Sequence, residues 1–214
     1  MVHHLVLKAG LLLSMALSVA CSSDSGNGAG SGPSAAPVGA SSGVALSSSE
    51  QSSLAFIREE EKLARDVYAA LATHDPMFTN IGASEQTHMD AIGTLLTRYG
   101  LADPAAGKAA GAFTNPTLQG LYDALVASGK VSYVAALAVG VEIEELDIHD
   151  IDASRVGLSH DDIATTYDNL TRGSRNHLRS FYGKLKAAGG TYSPKHLDAA
   201  SFEAIVTSET ERGR

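Results

Sequence analysis

Apolar residues recur at spacings of three and four in four long segments, with Gly or Pro punctuating the gaps, and no stretch alternates as a strand would. The first segment runs from about Ser49 to Thr73, with Leu54, Ile57, Ala64, Tyr68 and Leu71 on one stripe, and stops before Asp75-Pro76. The second runs from about Ile81 to Tyr99. The third, about Ser132 to Ile151, carries Leu137, Val141, Ile148 and Ile151. The fourth is expected to be capped by Ser159, with Asp161 and Asp162 at the positive end of its dipole, and to run to Ala188 before Gly189-Gly190.

The links between segments one and two and between three and four are short. The link from Leu101 to Lys130 is long and contains a short helix near Leu118 to Ala127. Segments of this size form helices about 30 Å long, so a long link can cross the bundle and start segment three at the far end. The expected fold is an all-α four-helix bundle with a long crossover between helices two and three; a simple up-and-down bundle with a decorated loop is the alternative. Beyond Gly190, the apolar stretch from Phe202 to Val206 is expected to cap one end, and the terminal SETERGR to be loose.

The bundle is expected to occupy residues 49–208. Ahead of it, residues 1–20 read as an export signal, with Lys8 in a short n-region and an apolar run from Ala9 to Val19 too short to span a bilayer. Leu17-Ser18-Val19-Ala20-Cys21 resembles the bacterial lipobox, although Ser18 stands where that pattern prefers leucine. The resemblance implies lipidation of Cys21, and Ser22 after it resembles outer-membrane sorting. Residues 21–48 are almost wholly Ser, Gly, Ala and Pro, the composition of a disordered tether. Cys21 is the only cysteine, which excludes an intrachain disulfide framework and a multi-thiolate metal site. A net charge of −8 without a basic cluster argues against nucleic acid as a partner.

Candidate chemistry lies where charged residues interrupt the apolar stripes, because a carboxylate in a bundle core is costly unless a metal, a proton or a partner compensates it. In segment two Glu85 and His88 replace two core positions one turn apart, between Ile81 and Ile92. Segment four places His177 on the stripe of Ile163, Tyr167, Leu170 and Phe181, with Ser174 one turn before it. In segment one Glu61 falls on the stripe and Glu59 is expected to be solvated. In segment three Glu144 lies on the stripe with Asp147 one turn beyond, and Glu145 competes for the inward position. Carboxylates and imidazoles converging from four helices suit iron, manganese or zinc. The competing reading for each residue is a solvated side chain or a surface ion pair, such as Glu61 with Arg65.

Glu61-Lys62-Leu63-Ala64-Arg65-Asp66-Val67-Tyr68 is similar to the first-helix pattern of ferritin-like di-iron proteins, rubrerythrins especially, and Glu85 with His88 matches their Glu-x-x-His. The stretches EEEKLARDVY, SEQTHMDAIGTLLTRYG, LQGLYDALV, IEELDIHDI and GSRNHLRSF resemble the ferritin-like family called domain of unknown function 2202, from about Gln51 to Phe202. The resemblance implies a ferritin-like bundle with Glu61, Glu85, His88, Glu144 and His177 as metal ligands. The second Glu-x-x-His of rubrerythrins becomes Ser174-Arg175-Asn176-His177, so one carboxylate is missing; Asp147 supplies the missing oxygen, or the site holds one metal, or it is asymmetric. The cysteine-ligated domain of rubrerythrins is absent.

The leading expectation is a lipid-anchored envelope protein, facing the periplasm from the outer membrane, whose one or two irons react with oxygen or peroxide using electrons from a separate donor. The alternatives are a protein that binds or buffers a metal without turnover, and a structural lipoprotein. A homodimer is compatible with each, whereas a closed storage shell is disfavoured by a lipid tether on every subunit. Tyr68, Tyr99 and Tyr167 lie on the same stripes and are expected to be core aromatics with polar tips, the alternative being that they shape the pocket or supply hydrogen bonds. His74, His149, His160 and His196 are assigned no role.

Overall fold

The computed structural model describes residues 45–213, so the expected signal, Cys21 and most of the tether lie outside the described residues. Among the described residues there are six helices and no strand: α1 (Ser48–Leu71), α2 (Pro76–Arg98), α3 (Pro116–Gly129), α4 (Tyr133–Ser154), α5 (Asp161–Ala187) and α6 (Ala199–Thr207). None is long and apolar enough to cross a membrane.

Local chemistry sets the helix ends. Ser47 and Glu50 form a reciprocal capping box at the start of α1. Asp75 accepts from Met77 N and Pro76 takes the first position of α2, a position where proline's missing N–H costs nothing. Helix α2 therefore starts at Pro76 and not at the expected Ile81, because Asp75-Pro76 both stops α1 and starts α2. At the other end Gly100, at φ +66°, lets the chain leave α2 while Leu101 N bonds back to Leu96 O at 2.9 Å.

The expected cap of α5 is corrected. Its N-cap is His160, without a side-chain cap bond, and Ser159 instead donates its N–H and hydroxyl to Glu50 of α1.

The crossover topology follows from which ends meet. Tyr133, at the start of α4, bonds Asp75 in the α1–α2 turn, whereas Arg98 and Tyr99, at the end of α2, bond Asp162 at the start of α5. Residues 99–132 therefore travel the length of the bundle, and α4 runs parallel to α2. Each of α1 and α5 packs on both α2 and α4, which closes a four-helix ring, and α3 lies across α1 and α4. This is the ferritin-like arrangement.

The core is divided. Leu54, Ile57, Ile92, Leu95, Ile151, Ile163 and Tyr167 pack at one end. Ala64, Tyr68, Leu71, Phe78, Leu137, Val141 and Phe181 pack at the other, where Tyr68, Phe78 and Phe181 form a trio of rings 5.1 to 5.9 Å apart. Between the two apolar clusters lies a layer of buried Glu, Asp and His. Helix α6 packs Phe202 against Tyr182 and Tyr192, covering the second cluster as expected. The terminal segment is not loose as far as it is described: Arg175 and Arg179 grip the Glu211 carboxylate, and Asn176 bonds its backbone.

Candidate metal centre

Each bundle helix contributes to the polar layer at the point where its apolar stripe is interrupted. Glu61 comes from α1, Glu85 and His88 from α2, Glu144 from α4 and His177 from α5, with the three carboxylates at most 1% exposed. Their ligating atoms fall into two sets, Glu61/Glu85/His88 and Glu85/Glu144/His177, within each of which the atoms lie inside 4.8 Å of one another. Glu85 belongs to both. Its Oε2 is 2.8 Å from His88 Nδ1 and its Oε1 is 2.8 Å from His177 Nδ1. On the outer flanks Glu61 Oε2 and His88 Nδ1 share a hydrogen bond of 3.1 Å, whereas Glu144 Oε2 lies 3.4 Å from His177 Nδ1 without one.

The directions of these groups matter more than their proximity. Both oxygens of Glu85, Oε2 of Glu144 and Nδ1 of His177 make no hydrogen bond despite their short separations. Side chains that merely neutralised each other would align donor to acceptor. These atoms instead lie within 4.8 Å of one another in each set, a spacing that ligands of one ion can have. The two imidazoles lie roughly parallel, 5.8 Å apart, consistent with one imidazole serving each set.

Electrostatics divide the layer. Burial pushes Glu85 up, but the two imidazoles outweigh it and hold its carboxyl down at about 2. Glu61 and Glu144, pushed up by burial and by the charge of Glu85 against the pull of His88 and His177 respectively, rise to about 7. Burial opposes the charge on His177, yet Glu144 and Glu85 raise it to about 10; His88 is raised in the same way by Glu61 and Glu85. Glu85, between the two imidazoles, is thus held toward its ionised form while Glu61 and Glu144 are pushed the other way.

Asp147 is fully buried with both oxygens unpartnered, and burial together with Glu61, Glu60, Glu144 and Glu85 raises its pKa well above the usual range. It stands beside the two sets but belongs to neither. Ser174 sends its hydroxyl to Leu170 O and adds nothing. The open choice on α4 is resolved: Glu144 faces the layer, whereas Glu145 receives the N–H groups of Lys195, His196 and Leu197 and the hydroxyl of Tyr192. The anticipated Glu61–Arg65 pair does not form, since Arg65 bonds Asp66 and Gln86.

Tyr68 is a core aromatic as expected and also supplies a hydrogen bond, its hydroxyl donating to Glu144 Oε1 at 2.5 Å. Two further residues beside the centre are not among the sequence's candidates. Gly173 of α5 leaves the space that the His88 ring occupies: a Cβ there would lie 2.6 Å from His88 Nε2. Glu59, expected in solvent, is 3% exposed and accepts from Thr114 N and Asn115 N. A glycine inside a helix next to a candidate ligand helix was the available signal for Gly173. For Glu59 there was none, because the loop that buries it comes from the distant crossover.

Comparison with known proteins agrees with the fold. Residues 50–209 match the family described as Uncharacterized protein domain (DUF2202). The chain is 44% identical over 170 residues to Uncharacterized protein MJ0754 of Methanocaldococcus jannaschii, spanning 78% of this chain and 92% of that protein. The crystal structure of hypothetical protein MJ0754 from the same archaeon superimposes with a TM-score of 0.77 at 42% identity, covering 81% of this chain and all of the other.

Proposed function

Since the chain belongs to the DUF2202 family, we propose that its bundle holds two metal ions, iron first and manganese or zinc as alternatives, in the sets Glu61/Glu85/His88 and Glu85/Glu144/His177. The observation that carries this reading is the group of buried oxygens and a nitrogen that lie within contact distance and yet hydrogen-bond to nothing. A hard oxygen and imidazole set fits these metals and disfavours soft thiophilic ones. Bound iron would supply redox chemistry toward oxygen or peroxide. The chain's own residues would hold Glu85 ionised between the two positions, fix Glu144 through Tyr68, and exclude bulk water by the apolar clusters on either side.

The test is metal analysis of protein expressed with supplemented iron, followed by peroxide titration. About two equivalents of iron with a peroxide-dependent spectral change supports the reading, and metal-free protein after iron loading rejects it. A second reading, metal holding without turnover, is favoured by Ser174, which leaves the centre one carboxylate short; tight iron indifferent to peroxide would select it. Anchoring through Cys21 and an envelope location rest on residues 1–21, and a separate electron donor completes the proposal. Mass spectrometry of the mature N-terminus tests the anchor: an unmodified Cys21, or mature protein that does not begin there, would remove it.

A further inference from the structure

Helix α1 carries a second buried acid beside Glu61. Glu60 is 1% exposed, and neither of its oxygens has a hydrogen-bond donor. Across the α1–α4 interface Asp150 lies within electrostatic reach of it. Asp150 opens to solvent: its side chain is 23% exposed and pairs with His149 at 2.6 Å, and His149 is itself 49% exposed. Inward, Asp147 lies one turn before Asp150 on the same face of α4, unpartnered and surrounded by the charges of Glu61, Glu60, Glu144 and Glu85. Asp150, Glu60, Asp147 and Glu61 thus form a file of carboxylates from the surface to the centre.

This file differs from the other buried acids of the fold. Glu50, Glu59 and Glu145 each accept backbone N–H groups and tie down a chain segment. Glu60 and Asp147 tie down nothing. Burying such groups unpartnered carries a desolvation cost that an apolar residue of similar size would avoid. On the opposite side, the seam between α2 and α5 is narrowed where Gly173 meets the His88 ring.

We propose that Glu60 and Asp150 form a transit station for a hard divalent cation, which passes from solvent at Asp150 through Glu60 and Asp147 to the centre. The inference rests on the reading of the centre as a metal site. Two carboxylates with water completing the shell bind such an ion weakly, which suits passage more than residence.

The test is stopped-flow uptake of Co(II) by the metal-free full chain, followed by cobalt absorption, for the wild type, Glu60→Gln, Asp150→Asn and the control Asp152→Asn. Asp152 is exposed on the same helix and pairs with Arg155. Glu60→Gln and Asp150→Asn are expected to slow uptake about tenfold, the low end of the rate enhancement that a cleft lined by one sign of charge gives an oppositely charged ion, with final stoichiometry unchanged, and Asp152→Asn to match the wild type. Uptake by both variants at the wild-type rate, or slowed no more than by Asp152→Asn, would overturn the route while leaving the metal reading intact. A lower final stoichiometry in Glu60→Gln would also overturn it, by making Glu60 a ligand of the centre. Wild-type protein that takes up no cobalt would remove the metal reading and this inference with it. Asp150→Asn, at a partly exposed position, keeps the test decisive if Glu60→Gln does not fold.

Discussion

The hydroxyl of Tyr68 donates to Glu144 Oε1 at 2.5 Å, and this bond divides the carboxylate, leaving Oε2 to face His177. Tyr68 is itself fixed by contact with Phe78 and Phe181, so the apolar cluster sets the angle of a group in the polar layer. Tyr68→Phe is expected to keep the fold, with a stability loss of about 1.5–3 kcal/mol as for a hydrogen bond to a charged group. It should weaken only the Glu85/Glu144/His177 position. Isothermal titration with Zn(II) that showed both positions equally weakened would contradict this division.

Glu85 lends one oxygen to each set, and the other ligands serve one set each. Glu85→Gln should therefore abolish both binding events, whereas Glu61→Gln and His177→Ala should each abolish one. Equilibrium dialysis distinguishes these outcomes; loss of a single ion in Glu85→Gln would separate the two sets.

Glu59 is adjacent to the ligand helix face but does unrelated work. Glu59→Ala would leave Thr114 N and Asn115 N without their acceptor, at a cost of about 1–3 kcal/mol. Thermal unfolding should show that loss with metal stoichiometry unchanged, the reverse of the pattern for His88→Ala.

Gly173→Ala sets two effects against each other. Alanine in a helix interior gains about 0.8–1.0 kcal/mol over glycine, but its Cβ would meet His88 Nε2 at 2.6 Å. The ring can yield at modest cost by swinging out, and doing so moves Nδ1 away from Glu61 and Glu85. Stability should change little while the Glu61/Glu85/His88 position loses affinity. A variant binding metal as the wild type does would show that the ring has room to spare.

The terminal clamp provides a pH readout. Arg175 and then Arg179, against partial burial, lower Glu211 from 4.5 to about 2. A depressed folded-state pKa means that the clamp's contribution is complete above pH 4.5 and fades as pH falls from 4.5 through about 2. The backbone amide of Glu211, bonded to Asn176, should report a midpoint near 2 by NMR. A midpoint near 4.5 would mean that the clamp is open in solution.

What the sequence made legible was whatever is periodic. Glu61, Glu85, His88, Glu144 and His177 were legible as inward-facing because each interrupts an apolar row on its own helix, and the long link after α2 pointed to the crossover. Groups whose partners are distant in sequence escaped. Ser159 looked like a cap but bonds Glu50, 109 residues earlier. Glu59 looks solvated in a run of acids, and only the distant crossover buries it. The terminal segment looked loose because nothing local holds it, whereas the arginines of α5 do.

Four successive charged residues of α1 each have a separate destination. Glu59 ties the crossover, Glu60 faces Asp150, Glu61 enters the metal layer, and Lys62 reaches Asp66 and the carbonyl of Ala109 beneath the ring of Phe113. A helix held in this manner is keyed in rotation. One residue inserted upstream of Glu59 within α1 would turn every one of these side chains by about 100° and break all four engagements together, so α1 should accept substitution far more readily than any change of length.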